Sequence, residues 1–142
     1  MFTKVLYPTD FSDVAVKALD YIKQLKEAGT EEVILLHVID QRSIDVLNEF
    51  ARTGSTEKGL EDYSKKEITD LSEKIRSWGL RPTTRIVQGL PLPEILNASE
   101  EDGISLIVIG SHGKSNIAEM LMGSVSEKVV RKSKRPVLVV KR

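Results

Sequence analysis

Short apolar runs alternating with stretches of helical periodicity limit what this chain can fold into more than any other feature. Lys4 to Pro8, Glu32 to Ile39, Thr83 to Gln88, Ser105 to Ile109 and Pro136 to Val140 read as strands. Between them, apolar residues recur three and four apart. Ala15, Ala18, Leu19, Ile22 and Leu25 mark one helix, and Leu60, Tyr63, Ile68, Leu71, Ile75 and Trp78 mark a longer one. Ile95 with Leu96, then Val125, Val129 and Val130, mark two more. Unbroken Val/Ile/Leu runs, rather than polar–apolar alternation, describe strands buried on both faces, as in a parallel sheet. The β-α-β-α-β-α-β-α-β order therefore predicts an α/β fold: a five-stranded parallel, doubly wound sheet with helices on both faces. Right-handed crossovers leave few topologies. In such a sheet the ligand crevice lies outside the carboxyl ends of the strands, where the strand order reverses. The first and fourth strands flank that point.

Local signals set the element ends. Ser12 or Asp13 is placed to cap the first helix, and Gly29, Gly79 and Gly103 close helices. Pro91 and Pro93 sit at a helix start, where a missing N–H costs nothing. Ser64 and Glu67 have capping-box spacing but fall within the long helical pattern. Residues 41–59 are polar apart from Ile44, Val46, Leu47, Phe50 and Ala51, and read as a mobile, variable excursion holding one short helix. No internal repeat is present, and residues 1–142 form one domain.

Composition narrows the function classes. Lys+Arg and Asp+Glu both number 21, which argues against a general nucleic-acid or membrane-surface binder. Aromatic residues make up 5%, too few for a base-stacking platform. The absence of cysteine removes disulfides, thiolate metal sites and cysteine nucleophiles. Met1 to Pro8 has no signal-peptide layout, and the apolar runs fall far short of the ~20 residues that span a bilayer, so the cytoplasm is the expected location.

The chemistry-bearing stretch follows the fourth strand: Gly110-Ser111-His112-Gly113, nine residues, then Gly123-Ser124. Gly110 and Gly113 would let a ribose and phosphates lie against the backbone. Gly123, Ser124, Val125 and Ser126 would present N–H groups and hydroxyls at a helix start, where the dipole favours an anion. The plain alternative is that Ser124-Val125-Ser126-Glu127 is only a capping box and Gly113 only a turn residue. Gly113-Lys114-Ser115 imitates the tail of a P-loop, but Val108 stands where that motif needs glycine, and G-x-G-x-x-G is absent.

Asp10, beside Thr9 at the end of the first strand, could accept a ribose hydroxyl or reach a metal ion; equally it could form an Asx-turn. His112 could donate to a phosphate or ribose oxygen, but shows no partner that would make it a general base. His37, within an apolar run, reads as a satisfied buried histidine. The basic residues from Lys128 to Arg142 complement the negative end of the last helix. Ile117, Met120, Leu121 and Met122 make the linking loop unusually apolar: they pack on the domain or form a partner-facing patch. The last strand is expected at the sheet edge, where pairing with a second copy would cover it.

With these motifs in place, the chain resembles the nucleotide-binding branch of the universal stress protein family over nearly its whole length. The likeness is carried by Val5 to Ser12, Leu36-His37-Val38, Val87-Gln88-Gly89, Ile107 to Gly113, the Gly-2x-Gly-9x-Gly-Ser spacing, and Arg135 to Val140. The resemblance implies strand order 3-2-1-4-5 and a homodimer through Val137, Leu138, Val139 and Val140. It also implies a site for ATP, with AMP or another adenylate as alternatives, and Mg²⁺ or Mn²⁺ beside it on Asp10. Pro8, Thr9 and Asp10 would line the site, Val38 would meet adenine through its backbone, and Gly110 and His112 would lie near the ribose and phosphates. Gly113, Gly123, Ser124, Val125 and Ser126 would bind phosphate oxygens. Residues 41–59 inherit nothing from the likeness. The function expected is a stress-response regulator with slow or no hydrolysis and a downstream protein partner that the sequence does not name. The alternatives are a metal-dependent nucleotide hydrolase and a nucleotide-free dimeric interaction module.

Overall fold

The structure is a computed structural model that describes residues 1–50, 55–112 and 123–142. Its strands are β1 (Lys4–Pro8), β2 (Glu32–Asp40), β3 (Arg81–Gly89), β4 (Ile104–Gly110) and β5 (Val137–Val140). They form one sheet in the order β3-β2-β1-β4-β5, and every pairing is parallel. The predicted fold class and strand order are therefore observed. Pro82 is accommodated because β3 is an edge strand.

The helices are α1 (Asp13–Leu25), α2 (Gln41–Phe50), α3 (Ser55–Ser77), α4 (Pro91–Ser99) and α5 (Ser124–Lys132). Alternation along the strands divides the interior into two cores. Val5, Tyr7, Val33, Leu35 and Val108 pack with Ala18, Leu19 and Ile22 of α1 and Ile68 and Ile75 of α3. Leu6, Ile34, Leu36, Ile107 and Ile109 pack on the other face with Ile95 and Ala98 of α4 and Val129 of α5. Neighbours in β1 thus serve opposite layers, which is why the run carries no polar residue between Val5 and Tyr7.

Ser12, not Asp13, caps α1: its side chain accepts the Ala15 N–H at 3.2 Å. A single 3-10 turn, Lys26–Ala28, extends α1 before Gly29 closes it at φ +100°. Pro91 opens α4 as expected. Ser64 and Glu67 lie inside α3, so their spacing caps nothing.

The one short helix expected within 41–59 is present, and the correction in the described part is that the long helix starts earlier than its apolar pattern suggests. Residues 41–50 form α2, and α3 begins at Ser55 rather than near Leu60. Asp40 starts α2 by accepting the Arg42 N–H at 3.0 Å, and Ile44 is the buried anchor. The polar first turns of α3 are held from β3 instead, where Gln88 donates to Glu57 and Glu61 at 3.0 Å each. Helical turns held by side-chain hydrogen bonds, as at the start of α3, carry little apolar periodicity to read. Residues 51–54 lie outside the described residues.

Tyr7 ties strand to helix across the first core. It is fully buried, and its hydroxyl donates to the Ala15 carbonyl at 2.6 Å. Burial is the main reason its phenol pKa lies far above the ordinary value of 10.0. The folded state holds that proton more tightly than the unfolded chain, so the stability Tyr7 contributes is complete below pH 10 and falls as the pH rises beyond it. Tyr7→Phe is expected to cost about 1 kcal/mol at neutral pH, a fall of roughly 2–5 °C in Tm. The wild-type advantage should shrink in melts recorded above pH 10; an advantage that grew there would contradict this.

Candidate functional site

The carboxyl ends of β1 and β4 face each other across the point where the strand order reverses, and a cavity of about 300 Å³ opens there. That size lies at the lower end of small-molecule sites. Pro8, Thr9 and Asp10 line it from the end of β1, and Val38 lines it from β2. Gly110 and His112 enter from the end of β4, and Gly123, Ser124, Val125 and Ser126 from the start of α5. Of the residues expected to line the site, Gly113 lies outside the described residues. So does the run from Lys114 to Met122, including Ile117, Met120, Leu121 and the P-loop-like Lys114-Ser115.

Aliphatic wall residues escaped the sequence reading: Leu36 on β2, Pro91 and Ile95 on α4, Ile109 on β4 and Ala15 on α1. Each looks like ordinary core in a one-dimensional pattern. Their shared position at the strand ends, beside the reversal, is the only signal that could have marked them. Together with Val38 they add an apolar lining to the glycines and hydroxyls contributed by β4 and α5.

The start of α5 differs from the start of α1. Gly123 is its N-cap, in extended conformation, and among the described residues no side chain caps the helix. The capping-box reading of Ser124 to Glu127 is therefore overturned, because Ser124 is already the first helical residue. The first-turn N–H groups and the positive end of the helix dipole belong to a wall of the cavity. Ser126 is buried, and its hydroxyl donates to the Gly110 carbonyl at 2.6 Å. Its proton is committed there, so its backbone N–H is the donor it can offer an anion. The Ser111 hydroxyl and His112 Nδ1 lie 2.8 Å apart, and the Ser111 N–H donates to the Val140 carbonyl at 2.8 Å.

Gly110 has a structural reason to be glycine besides its expected place beside a ligand. A Cβ built there would lie 3.0 Å from Val14 Cγ1, 3.1 Å from the Ala15 nitrogen and 3.2 Å from the Val14 carbonyl carbon. The group that approaches its backbone closely is the first turn of α1.

Asp10 does form the Asx-turn, accepting the Ser12 N–H at 3.0 Å, and it lines the cavity as well, so its two sequence readings coexist. Thr9 is buried. Its hydroxyl accepts the Phe11 N–H at 3.1 Å, and its N–H donates to the Leu36 carbonyl at 2.9 Å. His37 is half-buried, with Nδ1 2.8 Å from the Thr9 carbonyl, so it has the partner expected of it. Among the described residues no group of three or more His, Cys, Asp or Glu side chains is placed to hold a metal ion. Nor is any helix among them long and apolar enough to cross a membrane.

Fold and site together define a doubly wound α/β domain with its crevice at the strand-order reversal. The sequence matches the universal stress protein family over residues 1–141, and the chain belongs to that family. It is 40% identical over 156 aligned positions to universal stress protein MJ0577 of Methanocaldococcus jannaschii, covering 100% of this chain and 96% of that protein. It is 36% identical over 148 positions to universal stress protein YxiE of Bacillus subtilis, covering 99% and 100%. A solved structure of MJ0577 superposes with a TM-score of 0.91 at 44% identity, covering 100% of this chain and 97% of that one. A universal stress protein family member from Arabidopsis thaliana, solved with AMP bound, shares the fold at a TM-score of 0.66 and 19% identity, covering 99% and 92%.

The contact at Gly110 yields a direct test. Gly110→Ala forces its new methyl against the α1 backbone, which cannot yield as a flexible side chain would. A loss of about 1–3 kcal/mol is expected from such overpacking, read as a Tm lowered by several degrees with no ligand added. An unchanged Tm would show that α1 shifts freely.

Proposed function

We propose that this chain binds an adenine nucleotide, ATP in the first instance, and acts as a stress-response regulator rather than as an efficient enzyme. One observation carries the proposal. Apart from Gly113, which is not described, the residues singled out by the glycine spacing and by the end of the first strand line a single cavity, and a helix start that no described side chain caps forms part of its wall. The aliphatic lining, with Val38, Pro91 and Ile95, suits a purine and its ribose. The α5 amides suit phosphate oxygens, which they meet with oriented dipoles rather than with cationic side chains. Asp10 is the carboxylate that would approach a Mg²⁺ or Mn²⁺ ion. Such an ion commonly takes one or two protein carboxylates and completes its shell with phosphates and water. It would supply charge neutralisation on the phosphates.

Slow or absent turnover fits the same lining. Asp10 and His112 are the titratable side chains of its described lining, and no lysine or arginine stands among them to stabilise charge developing on a transferred phosphate. β5 has a partner strand on one side only, and Val137, Leu138 and Val139 remain half-buried, which supports a homodimer formed along that edge.

Ser124→Pro, read against Ser124→Ala to account for the lost hydroxyl, isolates the amide contribution. Proline is tolerated at the first helical position, and Gly123 already has the extended conformation (φ −71°, ψ 158°) that a residue before proline prefers. The substitution deletes one N–H and leaves the helix. Titration calorimetry should show ATP bound about tenfold or more weakly, as expected for one hydrogen bond to a charged group, with Tm nearly unchanged. Equal affinity would place the phosphates elsewhere. Mass spectrometry of ligand released from denatured protein should find an adenylate. Finding none, before or after ATP is added, favours the interaction module, and steady-state turnover at about 1 s⁻¹ or more favours the hydrolase. Sedimentation should give twice the 15.9 kDa chain mass; a monomer at all concentrations would remove the dimer.

A further inference from the structure

The corner that joins β1 to α1 is held from behind. Thr9 and Asp10 line the cavity, whereas Phe11 and His37 do not. His37 follows Leu36 and precedes Val38, which belong to the core on the α4–α5 face, so strand alternation turns its ring to the α1–α3 face. From there Nδ1 meets the Thr9 carbonyl at 2.8 Å. A carbonyl only accepts, so Nδ1 carries the proton and donates it. The imidazole also stacks on Phe11, with ring centroids 4.4 Å apart and planes tilted by 31°. Tyr63 of α3 meets Phe11 edge-on at 6.2 Å and 90°.

Phe11 needs that support. Among the described residues it is the one non-glycine residue with positive φ, at +64°, a conformation that costs a bulky side chain about 1–3 kcal/mol and persists only where the surroundings enforce it. The left-handed turn at Phe11 allows the Asp10 carboxylate to accept the Ser12 N–H while Thr9 accepts the Phe11 N–H. Release of Phe11 would let both of those cavity residues move.

We propose that His37 is a positioning residue for the cavity. By donating to Thr9 and stacking on Phe11 from the opposite sheet face, it fixes where Thr9 and Asp10 stand, so ligand affinity depends on a side chain that does not touch the ligand. Phe11 is the second member of the device, and Tyr63 braces it. The ligand part of this inference rests on the nucleotide assignment above; the structural part does not.

Three variants test it: His37→Leu removes donor and stack, His37→Asn restores a donor at nearly the Nδ1 position, and Phe11→Gly relieves the φ strain while deleting the stack. The first readout is amide hydrogen exchange of Asp10, Phe11 and Ser12 in the ligand-free protein. Exchange should speed about 5- to 30-fold in His37→Leu and Phe11→Gly, as one lost interaction predicts, and return toward wild type in His37→Asn. The second readout is the ATP dissociation constant of the folded protein by calorimetry, which should follow the same order. A general loss of stability would lower Tm in all three variants without separating Leu from Asn in either readout. Exchange at 10–12 unchanged in His37→Leu overturns the positioning role, whether or not ATP binds. Faster exchange with an unchanged dissociation constant overturns its link to affinity. Wild-type protein that binds no adenylate removes the nucleotide assignment and leaves exchange to decide the rest.

Discussion

The first turn of α1 lies against the end of β4, and the geometry of the site follows from that contact. Glycine at 110 allows the Val14–Ala15 backbone to come within van der Waals distance of the strand. Tyr7 holds the helix there through the Ala15 carbonyl, and Ser12 caps it with its own side chain. With α1 pressed down beside the strand-order reversal and its cap satisfied internally, the remaining space at the strand ends belongs to the other layer. That space is walled by α4, by the start of α5, by the ends of β1, β2 and β4, and at one point by Ala15 of α1. One helix closes its own N-terminus and serves as scaffold; the other has a start that no described side chain caps and serves as a wall.

Much of this was legible in the chain because fold and site are written in the same residues. Runs such as Leu106-Ile107-Val108-Ile109 announce a strand buried on both faces, and the alternation of such runs with amphipathic stretches leaves little besides a parallel doubly wound sheet. The same topology puts Thr9-Asp10 and Gly110 at one crevice, so the site was visible once the order of elements was known. Pattern reading fails where position rather than periodicity carries the information. Leu36, Ile95 and Ile109 look like any core residue until the sheet brings them to the cavity. The start of α3 was misplaced because its first turns are held by Gln88 on a distant strand and not by an apolar stripe. The alternative that Ser124 caps α5 fails because S-x-x-E describes only a possibility for a helix start. Only the backbone shows that Gly123 holds the capping position.

Nothing in the sequence around Phe11 signals that its backbone is left-handed. A strained conformation leaves no mark in a hydrophobic pattern, since it is enforced by partners far away in sequence, here His37 and Tyr63. Motifs near the end of a first strand therefore carry two kinds of residue. Some meet the cavity, and others hold those that do.

The Gly110 carbonyl, which receives the Ser126 hydroxyl, belongs to the residue whose missing side chain admits α1. Two helices on opposite faces of the sheet are therefore referenced to one peptide unit. In evolutionary terms, positions 14, 110 and 126 are not free to drift singly. A bulkier residue at 110 would need a smaller neighbour on α1 and a new anchor on α5 at once, and energetic non-additivity among the three is the signature of such a junction.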